Sequence, residues 1–267
     1  MLRYAGGKNK ASRLLHDLAP IRYDEYREPF LGGAGMLWSV PARTRVWGND
    51  LNPIIIRYWE ALRDDDGFID RQVALAEWSK TATDDERRAA YERAKERYDR
   101  DDDPFSFWFL NRLSVACNVS KQRADICCMS ALFKRDGMNH VHRPKLERMR
   151  DSLRRPGLRM TVGDYLPLLQ EPGNGVWIFV DPPYPMPKSD NYLYGGHTFT
   201  WQDQERLADA LRNCEHKWMM TNGDNPRIRR LYSDYRIRHR RYTGTLPHKQ
   251  RRRQWSEHKM ELIITNY

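Results

Sequence analysis

Cysteine is scarce in this 267-residue chain. Cys117, Cys127, Cys128 and Cys214 form no CxxC pair and share no regular spacing. That pattern suggests neither a thiolate zinc site nor a disulfide framework, and a reducing cytoplasm is the expected setting. No stretch approaches the ~18 apolar residues of a membrane span, so no membrane partner is expected. The opening "MLRYAGGKNKASRLL" lacks the apolar core of a secretory signal. The eight histidines form no HxxxH or Glu–His set, and no metal centre is expected. Acid runs at 64–66 and 101–103 are flanked by charged helical sequence and read as solvated surface. Internal repeats and long Gly/Ser linkers are missing too, which excludes a solenoid or a string of tethered modules.

Hydrophobic residues make up 40% and aromatics 12%, enough for a large buried core. Formal net charge is +10, and it is distributed in blocks. Residues 227–259 hold twelve Arg/Lys against the two acids Asp234 and Glu257. Residues 121–159 hold eleven against four, leaving the remainder of the chain mildly acidic. Two basic segments on an acidic body fit a polyanion binder better than a scattered, solvated arginine surface does.

Along the chain, residues 8–18 read as a short helix and "DEYREPF" as a strand entering the loop "LGGAG". "TRVWGND" reads as a second strand and "NPIIIRYWEALR" as a helix. Residues 67–100 turn into charged helical sequence in which Thr83 and Glu86 have capping-box spacing. The basic segment 121–159 ends in a helix near 144–155. Strands "GLRMTV" and "GVWIFVD" follow, then a loop through 182–199 and the helix "TWQDQERLADALRNC". The strand "KWMMTN", a short helix near 225–232 and two strand-like arms around a basic loop close the chain. Two α/β halves around a different segment predict a doubly wound, mostly parallel Rossmann-like sheet with an inserted, mainly helical lobe. The α/β domain is expected over 1–59 and 157–267, with the inserted lobe over 60–156.

Three local patterns carry chemistry. In "EPFLGGAGM" the glycines Gly32, Gly33 and Gly35 remove Cβ atoms where a strand meets a helix, so backbone amides can approach a ligand. Asp50 ends the next strand, where an acid can bind ribose hydroxyls; a plain tight turn is the alternative. "VWIFVDPPYPMP" places an acid at the end of an apolar strand, followed by two prolines and a ring. Carbonyl and carboxylate acceptors beside a stacking face suit a planar base bearing an amino group; a rigid turn is the alternative.

"YAGGK", "EPFLGGAG", "NDLNPII" and "VDPPY", in that order, resemble the Dam-type (α-group, D12 class) family of DNA adenine-N6 methyltransferases. "FWFLNR", "HTFTWQDQERLADAL", "WMMTNGDNPRIRRLY" and "ELIITNY" are similar to further stretches of that family. The resemblance implies S-adenosyl-L-methionine (AdoMet) as cofactor and double-stranded DNA as partner. Tyr4, Gly6, Gly7 and Lys8 would line the cofactor pocket, and Phe30, Gly32 and Gly33 would form its loop, with Glu28 just before. Asp50 would bind the ribose and Asp164 the cofactor's adenine. Asp181, Pro182, Pro183 and Tyr184 would hold a target adenine flipped from the duplex, with Asp181 and the Pro182 carbonyl accepting from N6 and Tyr184 stacking on the ring. DNA contacts are expected from Arg3, Lys121, Arg123, Lys134, Arg135, Arg251, Arg252 and Arg253. The family's asparagine-rich segment after "LNR" is replaced by "LSVACNVSKQRADICCMSALFKRDGMNHV", so a GATC target does not follow.

The resulting expectation is a cytoplasmic, bacterial or phage-encoded DNA-methyltransferase, monomeric or weakly dimeric, with a cognate restriction nuclease as a candidate partner. Methylation of RNA adenine, or a relative that has lost catalysis, are the alternatives. Glutamine-amide methylases carry Asn at the catalytic turn, so Asp181 argues against them.

Overall fold

A computed structural model describes residues 2–3, 7–113, 119, 138, 140–185, 192–194, 197–242 and 259–267. A 3-10 turn at Lys8–Lys10 leads into α1 (Ser12–Asp17), β1 (Glu25–Glu28), β2 (Arg45–Asp50) and α2 (Pro53–Asp64). The Asn52 side chain accepts from the Ile54 amide and Pro53 occupies the first turn of α2, both good helix-start chemistry. Helices α3 (Phe68–Thr81), α4 (Asp84–Asp101), α5 (Pro104–Leu113) and α6 (Arg143–Leu153) follow. The capping box expected at Thr83 and Glu86 starts α4. The α/β pattern then resumes with β3 (Leu158–Val162), α7 (Leu166–Gln170) and β4 (Val176–Val180). It continues through β5 (Tyr192–Tyr194), β6 (His197–Phe199), α8 (Trp201–Arg212), β7 (Lys217–Gly223), α9 (Pro226–Leu231), β8 (Arg236–Tyr242) and β9 (Lys259–Thr265).

Seven strands form one sheet in the order β3-β2-β1-β4-β7-β9-β8. The first five are mutually parallel, while β9 runs antiparallel to both β7 and β8. The strand order reverses between β1 and β4, and in open α/β sheets the crevice beyond the carboxyl ends at that point is where ligands bind. β4 is buried on both faces. Trp177 and Phe179 pack with α2 on one side, and Val176, Ile178 and Val180 pack toward α8 on the other. A parallel strand covered on both sides reads as a continuous apolar run, which is why "VWIFV" stands out.

Helices α3 to α6 are built onto α2. Phe68, Tyr91, Tyr98, Phe107, Leu146 and Leu153 belong to the same apolar cluster as Tyr58, Trp59 and Leu62. Arg150 donates to the carbonyls of Leu62 and Asp65, and Arg154 donates to that of Arg63, satisfying the last carbonyls of α2 with cations. No helix among the described residues is long and apolar enough to cross a membrane.

Two features depart from the sequence reading. The stretch 182–199, expected as a loop, contains the antiparallel hairpin β5–β6. Strands of three residues are too short to show alternation, although a Gly-Gly pair between Tyr/Leu and Thr/Phe carries hairpin chemistry. Helix α7 was not expected, because five residues hold barely one turn of periodicity.

Candidate active site

The loop after β1 is held by the end of β2. The Gly32 amide donates to Asp50 Oδ2 at 2.8 Å and the Asn52 amide to Oδ1 at 2.9 Å. Trp59 Nε1 donates to the Gly32 carbonyl at 3.0 Å. Gly32 and Ala34 both take positive φ, +43° and +52°. A side chain at Gly35 would place its Cβ 2.7 Å from the Lys8 backbone nitrogen. Gly35 is therefore glycine so that the segment carrying Lys8 can lie directly on this loop. Burial pushes the Asp50 carboxyl up to about 6, with the two amides pulling it back.

The Asp181 carboxylate, just beyond β4, lies beside Lys8 at the reversal point. Its Oδ1 accepts from three donors: Lys8 Nζ at 2.8 Å, Thr221 Oγ1 at 2.7 Å and the Tyr184 hydroxyl at 3.0 Å. The side chain stays 19% exposed, and no donor among the described residues meets Oδ2. Burial raises the Asp181 carboxyl above the ordinary carboxylate range, and Lys8 opposes the rise. Glu28, buried at the end of β1 on the strand next to β4, accepts from the Tyr26 hydroxyl at 2.8 Å and is pushed up to about 8 by burial.

Tyr184 is tied down by its hydroxyl, which lies 2.8 Å from Glu261 Oε1 as well as near Asp181. Burial and the two carboxylates raise that phenol well above its usual value, so it remains a proton donor. Lys8 Nζ sits 5.0 Å from the ring centroid. Gln204 Nε2 donates to the Pro183 carbonyl at 2.8 Å, and Gln204 Oε1 accepts from Asn222 Nδ2. No donor among the described residues engages the Pro182 carbonyl.

Other residues singled out in the sequence fall as follows. Phe30 packs on Tyr165 and, edge-on, on Phe199 at the end of the hairpin. Gly7 precedes the Lys8 turn. Asp164 receives the Leu166 amide on one oxygen and Arg206 on the other, both at 2.8 Å. Arg3 exchanges two backbone hydrogen bonds with the Asn111 side chain and donates its guanidinium to the Arg112 carbonyl. Tyr4, Gly6, Lys121, Arg123, Lys134, Arg135, Arg251, Arg252 and Arg253 lie outside the described residues.

Thr221, Glu261, Gln204 and Asn111 were not picked out from the sequence. The available signal was a polar residue inside an apolar strand. Thr221 and Asn222 interrupt "WMMTNG" and Glu261 opens "ELIIT", and all three are buried. Buried polar groups of this kind need partners and therefore point to a network.

Residues 4–246 match the family described as D12 class N6 adenine-specific DNA methyltransferase. The chain is 23% identical over 289 residues to the type II methyltransferase M1.LlaDCHI of Lactococcus lactis subsp. cremoris, covering 99% of this chain and 94% of that protein. A shorter match, 38% identical over 77 residues, links 27% of this chain to 10% of the DNA N-6-adenine-methyltransferase of Escherichia phage P1. Acceptors at the switch point, a glycine loop pinned by an acid and a family match over most of the length agree: the chain belongs to the D12 class of N6 adenine-specific DNA methyltransferases.

Proposed function

We propose that this methyltransferase takes its methyl group from AdoMet and delivers it to N6 of an adenine flipped out of duplex DNA, using Asp181 and the Pro182 carbonyl as acceptors. One observation carries the reading: Lys8, Thr221 and Tyr184 all engage Oδ1 of a partly exposed Asp181, and no donor among the described residues meets Oδ2.

The residues present fit a nucleoside-bearing cofactor. Leu51 and Val162 are large apolar side chains left 54% and 51% exposed beside Asp50, at the carboxyl ends of β2 and β3. Together with the Gly32 loop they make an apolar cradle next to a carboxylate, suited to an adenine face and a ribose hydroxyl. When bound, AdoMet supplies a methyl already activated by a sulfonium.

The amino group of adenine is conjugated with its ring and is a poor nucleophile. Two acceptors placed around N6 favour the tetrahedral geometry that frees its lone pair, and they stabilise the positive charge that grows on nitrogen. Asp181 must be ionised to do this, and Lys8, Thr221 and Tyr184 all favour that form. After transfer, the proton that N6 sheds meets Asp181 Oδ2 first, a carboxylate whose proton affinity burial has raised. Gln204 fixes the turn so that the acceptors stay in place as the base enters. Residues 60–156 and the basic segment 227–259 supply DNA recognition and phosphate contacts in this reading. Extruding the base costs a few kcal/mol, which stacking on Tyr184 and phosphate contacts offset.

The test is transfer of labelled methyl from AdoMet to duplex DNA, with the product analysed as N6-methyladenine. Asp181→Ala should abolish it. Transfer to RNA in preference to duplex DNA, or full activity of Asp181→Ala, would refute the reading.

A further inference from the structure

Glu261 is an acid that the methylation chemistry above does not use. It lies on β9, opposite Gly223 of β7 and Arg240 of β8, and its side chain is only 1% exposed. An ion so far from water must be paired closely, because desolvating an isolated carboxylate costs several kcal/mol. Its partners divide by oxygen. Oε2 accepts from Arg240, with Nε at 2.9 Å and Nη2 closer still. Oε1 faces the active site, 2.8 Å from the Tyr184 hydroxyl and 3.4 Å from Lys8 Nζ. Those same two groups are two of the three donors on Asp181 Oδ1.

The arrangement is a bridge with a fixed outer end. Arg240 holds one oxygen of Glu261 on the edge of the sheet, and the other oxygen holds the groups that hold Asp181. The Tyr184 hydroxyl has a single proton between two carboxylates, so its ring angle is set by both. Lys8 is drawn between the same two acids, which restricts where its ammonium can sit over Asp181.

We propose that Glu261 is a positioning residue for methyl transfer, acting through the Tyr184 hydroxyl and the Lys8 ammonium to keep Asp181 Oδ1 anchored and Oδ2 turned toward the adenine amino group. The inference rests on the reading of Asp181 as the acceptor for N6. A purely structural Glu261 would neutralise Arg240 and Lys8 and support the fold, with no influence on the chemical step in molecules that have folded.

Steady-state and single-turnover kinetics of Glu261→Gln separate the two. Gln keeps the size of the side chain and an acceptor for Tyr184, but it removes the charge that competes for Lys8. Positioning predicts kcat lower by roughly 10- to 100-fold, the cost of a small misplacement of reacting groups, with KM for DNA little changed. It also predicts that the acid limb of the kcat profile moves to lower pH. Asp181 is surrounded by Lys8, Tyr184, Glu261, and Glu28 and Tyr26 on β1. Removing the Glu261 charge, which disfavours the ionised Asp181 while Lys8 favours it, stabilises the ionised form.

Tyr184→Phe is the second variant, removing the hydroxyl and leaving the ring. It should lower kcat on its own, and its loss combined with Glu261→Gln should be smaller than the product of the two single losses. Wild-type kcat and an unmoved acid limb in folded Glu261→Gln, accompanied only by a lower melting temperature, would overturn the proposal. So would wild-type kcat in Tyr184→Phe, a result that stands even where Glu261→Gln does not fold. Full activity of Asp181→Ala would instead remove the reading on which the inference depends.

Discussion

Replacing Glu28 by Gln should flatten part of the pH dependence of stability. Glu28 is buried beneath the glycine loop, and burial moves its carboxyl from an ordinary 4.5 to about 8. Tyr26 donates to it, and Gln can accept the same hydrogen bond without ever ionising. Between the two values the folded protein keeps a proton that the unfolded chain has released. Stability therefore falls as pH rises, by about 1.4 kcal/mol per pH unit. The Glu28 contribution is complete below the unfolded value and gone once the pH passes the folded one. From about pH 5.5 to about pH 8.5 the wild-type chain should lose roughly 3 kcal/mol that the Gln variant keeps. Urea unfolding of both proteins across that range measures the difference. Asp50 and Asp181 are raised too and tilt both curves, so the gap between the curves isolates Glu28. Parallel curves, or a steeper fall in Glu28→Gln, would refute the reasoning.

Three further perturbations probe the site and its surroundings. Thr221→Val removes one of the three donors on Asp181 Oδ1 while preserving shape, and should lower the single-turnover methylation rate roughly tenfold. Gly35→Ala drives a Cβ to 2.7 Å from the Lys8 backbone nitrogen. Backbone cannot swing aside as a side chain does, so a destabilisation of about 1–3 kcal/mol in urea should accompany reduced activity. Changing Arg251, Arg252 and Arg253 together to Gln should flatten the plot of log binding constant against log salt by about 2.7 if all three neutralise phosphates; an unchanged slope would exclude them from the DNA contact.

The α/β alternation was legible because each strand of the seven-stranded sheet announces itself locally. "VWIFV" is an uninterrupted apolar run, Asn52-Pro53 starts a helix, and Thr83 with Glu86 form a capping box. The motif residues were legible for the same reason, since "GGAG" and "DPPY" are contiguous. Partners supplied from a distance were not. Thr221 reaches Asp181 across forty residues and Glu261 reaches Tyr184 across seventy-seven. That pairing exists only because β4, β7 and β9 lie side by side, an order no local pattern encodes. The role of Lys8 was partly hidden likewise. "YAGGK" suggested a place in the cofactor pocket, and the folded chain adds a contact of its ammonium with Asp181 that no local pattern shows. Only burial brings out what a single polar residue in an apolar strand is for.

Asymmetry in the Asp181 carboxylate ties these observations to the chemistry. A neutral aromatic amine has no proton that must leave before attack, so a strong base is not the main requirement. An acceptor that does not rotate is. A carboxylate with donors spread over both oxygens would have to surrender one of them as the base arrives, and the step would carry that desolvation and rearrangement. Here Lys8, Thr221 and Tyr184 converge on Oδ1, while Gln204 occupies the Pro183 carbonyl and no donor among the described residues engages that of Pro182. On the function proposed above, the two acceptors for N6 are held by groups that need not move when it docks. Preorganisation of this kind places the reorganisation in the folding of the sheet rather than in the methyl-transfer step.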